Sequence, residues 1–479
     1  MQTVSLSSAD VFCVYGLPDE EFSSELVEWL EENPQRYVVV LEDEMGERLF
    51  NSFHQRIRIC SVESGESLKQ IAWELVFLSF DYATRVGNAS KDEEKMQAVF
   101  SRFSFFQEGI HLIASDYQER GLDRLRNFLG NSSLFSRAVE GESLFGAFSK
   151  IPAIICGAGP SLEREIPYLR NLKDRALLFA GGTTLSSLSC FSMRPHFGGV
   201  IDPHPPSDRF FSHLANEVPI FFQSRAHPAM LKSMQGPLLK IAGSGNDFFE
   251  GNSFDGGWNV STFLTALACH LGCSPIILVG VDLAQQKEKT YAGDLERSEG
   301  GELIAAGDGM YTRRDWLFAA DWLSQFAKSH PEVDWVNASD GLSIQGIEKR
   351  NLRQLPFERQ ADLFGMVHGR IQGAQKGIFP NFSAEKLLHS FAKVGKLCEE
   401  IMALLERIFP QPPEKNGEYA LLELEIEKEM AYEHFILPIW DVWKHVFVRQ
   451  IPKDMPKAYG VGLNQWLFMK GICDDARKI

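Results

Sequence analysis

The stretch Ile154-Ile-Cys-Gly-Ala-Gly-Pro-Ser-Leu162 follows Ala153 and sets an apolar run, Ala153 to Cys156, directly before a glycine-rich turn. A short apolar run bounded by glycine reads as a buried strand of a parallel sheet. Gly157 and Gly159 let a backbone come close to a ligand. Pro160 suits a first helical turn, where its missing N–H has no partner. The free N–H groups and positive dipole end of a helix opening at Ser161 then face a phosphate. No third glycine follows at the dinucleotide spacing, so the turn is shorter than that fingerprint. The alternative is a strand-to-helix turn without a ligand. If the ligand reading holds, Gly159→Val abolishes binding by blocking backbone approach and leaves the fold intact.

Outward from this turn, apolar strands alternate with helices. Ala176–Ala180, Phe197–Ile201, Pro219–Phe222, Leu238–Ala242, Pro275–Val279 and Trp335–Asn337 read as further strands. This alternation predicts a Rossmann-like, mostly parallel sheet with right-handed crossovers. Polar residues collect where strands end: Gly157 to Ser161, Thr183-Thr184, Asp202-Pro-His204 and Asp282. In an open α/β sheet those ends share one edge, and ligands bind there. The competing reading of the Asp and Thr residues is helix capping. A polar stretch from Gln285 to Asp308, containing Tyr291, reads as a mobile flap over that edge. Arg313 and Arg314 follow it and suit a phosphate or carboxylate, or else surface salt bridges.

The central unit is assigned to residues 149–376. Residues 1–148 read as a smaller α/β domain, with strands Val11–Tyr15, Tyr37–Leu41 and Arg56–Ile59 and a helix Glu20–Glu31. It has the order of a nucleotide-binding half, but Gly16 stands alone where Gly-x-Gly is needed, so it reads as degenerate and structural. A helical pattern then runs from Ser67 to about Leu129, with a connecting loop that carries one short helix expected from Asn131 to Gly146. Residues 377–479 read as a helical C-terminal domain. The chain has 479 residues, 44% hydrophobic, with a net charge of -16 and no basic tract, which argues against nucleic-acid binding. Eight cysteines form no CxxC pair, so neither a zinc ribbon nor a disulfide framework is expected. No signal peptide or membrane-spanning run is read, and the expected location is cytoplasmic.

Three blocks of the central unit resemble the domain shared by Maf (motility-associated factor) glycosyltransferases and the MptE-like diphosphokinases of pterin biosynthesis. They are Ile154 to Leu162, Val200-Ile-Asp-Pro203, and Asn259 through Gly272-Cys-Ser-Pro-Ile-Ile-Leu-Val-Gly-Val-Asp-Leu283. Val336-Asn-Ala-Ser-Asp-Gly341 is similar to a Maf segment. A more distant similarity joins them to small bacterial sialyltransferases that use CMP-sialic acid. There the glycine turn cradles the nucleotide, which the resemblance assigns to Gly157, Gly159, Pro160 and Ser161. It also places Asp202 at the donor and Tyr291 at the donor phosphate. A second tyrosine of those enzymes falls on Ala284. Their general-base histidine has no counterpart, since no histidine lies between His270 and His330.

The expected function is that of a Maf-like glycosyltransferase, moving an acidic nine-carbon sugar from a CMP-type donor to a protein Ser or Thr hydroxyl. Asp202 and Asp282 are the catalytic candidates. Thr183 joins the glycine turn and Tyr291 in nucleotide binding. His204, Asn259, Arg313 and Arg314 are candidates for substrate or phosphate contact. No metal or cofactor is called for. Mg²⁺ enters only under the alternative of an ATP-dependent 6-hydroxymethylpterin diphosphokinase, with Asp202 and Asp282 as its carboxylates. A catalytically degenerate scaffold is the third reading.

Overall fold

The computed structural model describes residues 8–18, 20–33, 35–43, 56–83, 93–204, 217–243, 254–286, 303–307, 309–359, 362–374, 384–449 and 457–478. The chain divides into two compact units, Met1–Gly121 with Ser390–Lys478, and Leu122–His389.

The first unit opens with β1 (Val11–Tyr15), α1 (Glu20–Glu32), β2 (Tyr37–Glu42), β3 (Ile57–Ser61), α2 (Gly65–Glu74), β4 (Phe80–Tyr82) and the first part of α3 (Glu93–Phe135), whose residues from Leu122 on belong to the second unit. Its four strands are parallel, in the order β3-β2-β1-β4. Phe12 and Val14 pack with Phe22, Leu26, Trp29 and Leu30 of α1. Val11 and Cys13 point to the other face and are also buried, which is why β1 is an unbroken apolar run. Strand β4 divides the expected Ser67–Leu129 helical run. Phe80-Asp-Tyr82 is too short to show a period, and only its pairing with Val11–Cys13 makes it a strand. The loop expected from Asn131 is helical as far as Phe135.

The second unit continues with β5 (Val139–Glu140), β6 (Ala153–Cys156), α4 (Ser161–Leu169), β7 (Leu177–Gly181), α5 (Thr183–Cys190), β8 (Phe197–Val200), β9 (Ile220–Phe222), α6 (Pro228–Ser233), β10 (Leu238–Lys240), α7 (Val260–His270) and β11 (Ile276–Val279). It ends with β12 (Gln285–Gln286), β13 (Ile304–Gly307), β14 (Met310–Thr312), α8 (Arg314–Ser329), β15 (Trp335–Asn337), β16 (Glu348–Lys349) and α9 (Leu363–Gly373). Nine parallel strands lie in the order β16-β15-β11-β6-β7-β8-β9-β10-β5. The expected α/β architecture is therefore present.

Helices cover both faces of this sheet. A Cβ on Gly198 would reach Leu185 of α5, and one on its neighbour Gly199 would meet Leu264 of α7 at 2.7 Å. Successive strand residues point to opposite faces, so α5 and α7 lie on opposite sides. Phe263, Leu264 and Leu267 of α7 share a core with Ile155, Phe179, Phe197, Phe221 and Leu278. The ends of the expected flap are ordered: β12, β14 and β13 form a small antiparallel sheet.

The first unit closes with α10 (Ala384–Ile408), α11 (Gly417–Glu427), α12 (Leu437–Arg449) and α13 (Lys457–Ala476), with a π-helical turn at Tyr432–Ile436 before α12. Trp466 Nε1 donates to the Tyr419 hydroxyl at 3.0 Å, joining α13 to α11. Among the described residues no helix is long and apolar enough to cross a membrane.

Candidate functional site

From β6 the chain steps sideways through β7, β8, β9 and β10, then returns to the other side of β6 with β11, β15 and β16. The strand order therefore reverses between β6 and β11, the place where such sheets open a crevice at their carboxyl ends. Both turns that meet here had been singled out: Gly157–Ser161 after β6 and Gly280–Asp282 after β11.

The protein itself fills this crevice. Asp282 is buried, at 6% exposure. Its Oδ2 accepts the Ser161 N–H at 3.0 Å, and its Oδ1 accepts the Ser161 hydroxyl at 2.5 Å and the Asp340 N–H at 3.2 Å. The negative charge at the amino end of α4 is thus Asp282, where the sequence suggested a ligand phosphate. A Cβ on Gly159 would lie 2.3 Å from Asp282 Oδ2, and one on Gly157 would lie 2.3 Å from the Gly280 carbonyl oxygen. The lack of a side chain at these glycines lets the two turns interlock. Pro160 occupies the N-cap position of α4. On the far side, a Cβ on Gly341 would overlap the Asp282 carbonyl, which accepts the Leu342 N–H at 2.8 Å. Asp282 is a positioning residue, and its engaged carboxylate is no free base.

Asn259 also proves to be a cap. Its side-chain oxygen accepts the Ser261 and Thr262 N–H groups at 2.9 and 3.0 Å, and Thr262 Oγ1 accepts the Asn259 N–H, completing a reciprocal box. Arg313 is likewise engaged. Its guanidinium makes two bonds to Asp315, at 2.8 and 2.6 Å, and lies 5.1 Å from the Trp316 ring centre. Arg314 is exposed in the first turn of α8. Thr312 Oγ1 donates to the Leu283 carbonyl, so both arginines belong to the β11 side of the interlocked turns.

The remaining candidates lie on the β7 and β8 side. Thr183 opens α5 behind Gly182, whose φ of +49° and lack of side chain leave that amino end without a side-chain cap. A Cβ on Gly181 would strike Val260, so the amino ends of α5 and α7 converge. One strand further on, Asp202 is exposed, and its Oδ1 accepts the His204 N–H at 2.8 Å. His204 stands over Asp123, with Nε2 3.6 Å from Asp123 Oδ2. The candidates thus fall into three groups rather than one, and Tyr291 lies outside the described residues.

Sequence reasoning missed what fixes these loops. Asn127 Nδ2 donates to the carbonyls of Pro203 and Arg225, at 3.0 and 2.9 Å. Asn131, one helical turn later, donates to those of Ser224 and Ala226, at 3.0 and 2.6 Å. The Asn-x-x-x-Asn spacing on one helix face was the available signal. In the other unit, Asp43 after β2 is held by the Tyr15 hydroxyl at 2.8 Å and by Lys95. The acid that would meet a ribose in a working nucleotide half is therefore engaged internally.

A doubly wound parallel sheet with polar residues at its carboxyl edge defines this unit as an α/β domain. Residues 126–288 match the family described as 6-hydroxymethylpterin diphosphokinase MptE-like. Over 98% of its length the chain shares the fold of the Maf glycosyltransferase from Magnetospirillum magneticum AMB-1, with a TM-score of 0.60, 14% identity and 78% of that protein covered. The Maf/MptE-like resemblance read from the sequence holds. No curated protein matches.

Proposed function

We propose that the protein is a Maf-like glycosyltransferase that takes an acidic nine-carbon sugar from a CMP-type donor and places it on a Ser or Thr hydroxyl of a protein. The observation that carries this reading is the extent of the likeness to the Maf enzyme: it runs through 98% of the chain and includes the units flanking the MptE-like domain. The donor lies along the carboxyl ends of β7 and β8, beside the interlocked turns. Its phosphate faces the amino end of α5 at Gly182 and Thr183, where no side chain caps the helix and the helix dipole favours an anion. Gly157, Gly159, Pro160 and Ser161 support the nucleotide side indirectly, through Asp282.

Asp202 is the proposed base. Its Oδ1 is oriented by the His204 N–H, which leaves Oδ2 for the acceptor hydroxyl. The hydroxyl oxygen bonds to the anomeric carbon, its proton passes to Asp202, and the bond to the donor phosphate breaks with its electron pair leaving on CMP. Arg314 and Tyr291 are proposed to meet the departing phosphate.

The family match at residues 126–288 favours a second reading, diphosphate transfer from ATP to a hydroxymethylpterin with Mg²⁺. Asp282 does not fit a Mg²⁺ ligand, because its two oxygens already accept three donors. Calorimetric titration with CMP, ATP and GTP, each with and without Mg²⁺, separates the readings. CMP binding without metal supports the transferase, Mg²⁺-dependent ATP binding supports the diphosphokinase, and no binding of any at millimolar concentration supports a scaffold.

A further inference from the structure

Beyond Asp202, the carboxyl edge of β8 and β9 carries a groove of about 470 Å³ lined by Asp123, Arg126, Asn127, His204, His227, Pro228, Ala229 and Lys232. Two permanent cations and two imidazoles meet one carboxylate here, on a chain whose net charge is -16. The groove is built rather than incidental. Asn127 pins the Pro203 and Arg225 carbonyls, and His227 Nδ1 accepts the Ala229 N–H at 3.3 Å, which turns the other ring nitrogen into a donor when the ring is neutral. Arg126 holds Asp123 at 2.7 Å. His204 Nε2 is buried, makes no hydrogen bond within 3.5 Å among the described residues, and has Asp123 Oδ2 at 3.6 Å.

The groove lies after β8 and β9, and β8 is the neighbour of β7, the strand that leads into α5. We propose that this groove is a subsite for a carboxylate or phosphate group, and that in the donor it takes the carboxylate of the acidic sugar. The second half of that statement rests on the transferase reading.

The test uses the full chain and its His227→Asn/Lys232→Gln variant, with free N-acetylneuraminate, inorganic phosphate and CMP as separate probes in calorimetry. Asn at position 227 keeps an oxygen to cap Ala229, Lys232 is exposed, and an unchanged thermal midpoint verifies the fold. The expected result is that the wild type binds an anion probe and the variant binds it about tenfold more weakly or worse. Neuraminate binding without phosphate binding identifies the carboxylate; the reverse identifies the phosphate. Equal affinity in both proteins, or no binding of either anion to the wild type, overturns the subsite. CMP reports separately: CMP binding with a failed anion arm sinks the subsite alone. A variant-sensitive anion arm without CMP binding leaves the subsite standing and sinks the transferase reading.

Discussion

Asp282 grips Ser161 twice, through its backbone N–H and its hydroxyl, and so welds the turn after β11 to the turn after β6. The same carboxylate accepts the Asp340 N–H from the next loop. In Asp282→Asn the amide nitrogen can accept nothing, so at least one buried donor loses its partner. We expect a loss of about 2–3 kcal/mol in urea unfolding. An unchanged midpoint would contradict the interlock.

Gly159→Val now carries a different expectation from the one the sequence suggested. A Cβ there would sit 2.3 Å from Asp282 Oδ2 and 2.7 Å from the Gly280 carbonyl, so the fold itself suffers. Even Gly159→Ala should cost several kcal/mol, on the order of 3 or more. Gly16→Ala is the control: its φ is +81° but nothing lies within 4 Å, so about 1 kcal/mol is expected. Thermal midpoints in that order confirm the packing role, and equal midpoints deny it.

His196 supplies a pH dependence. It is fully buried, Nδ1 accepts the Leu178 N–H at 2.9 Å, and the ring stacks on Phe364. Burial pushes its pKa down from 6.5 to about 4. Between those values the unfolded chain binds more protons, so stability rises with pH and is lost as pH falls from 6.5 toward 4. The loss is on the order of 3 kcal/mol. His196→Asn keeps an acceptor and does not titrate, so its urea midpoint should fall less across that window. Parallel curves would refute this.

Much of the fold was legible because its strands are buried on both faces. Val11–Tyr15, Ala153–Cys156 and Ile276–Val279 are unbroken apolar runs, and such runs announce a parallel sheet. Phe80–Tyr82, Val139–Glu140 and Glu348–Lys349 were not legible, since two or three residues carry no period and their strand character comes from a neighbour. The site was half legible. Polar residues at strand ends are legible as such, but sequence does not say whether a carboxylate faces a ligand or another loop. Asp282 and Asn259 face protein, and Asp202 is exposed.

Asn259→Ala separates a cap from a ligand contact. Losing the Ser261 and Thr262 bonds should cost about 1 kcal/mol of stability and leave nucleotide affinity unchanged. A loss of CMP affinity with unaltered stability would restore Asn259 to the site.

The central claim is that the ligand edge runs along β7 and β8, beside the welded turns and not between them. A crystal structure of the protein soaked with CMP tests it most directly. The account predicts CMP at the carboxyl ends of β7 and β8, its phosphate at Gly182–Thr183, with the Ser161–Asp282 bonds intact. CMP seated between Ser161 and Asp282 with those bonds broken, or bound at the β1–β2 edge of the other unit, would contradict it.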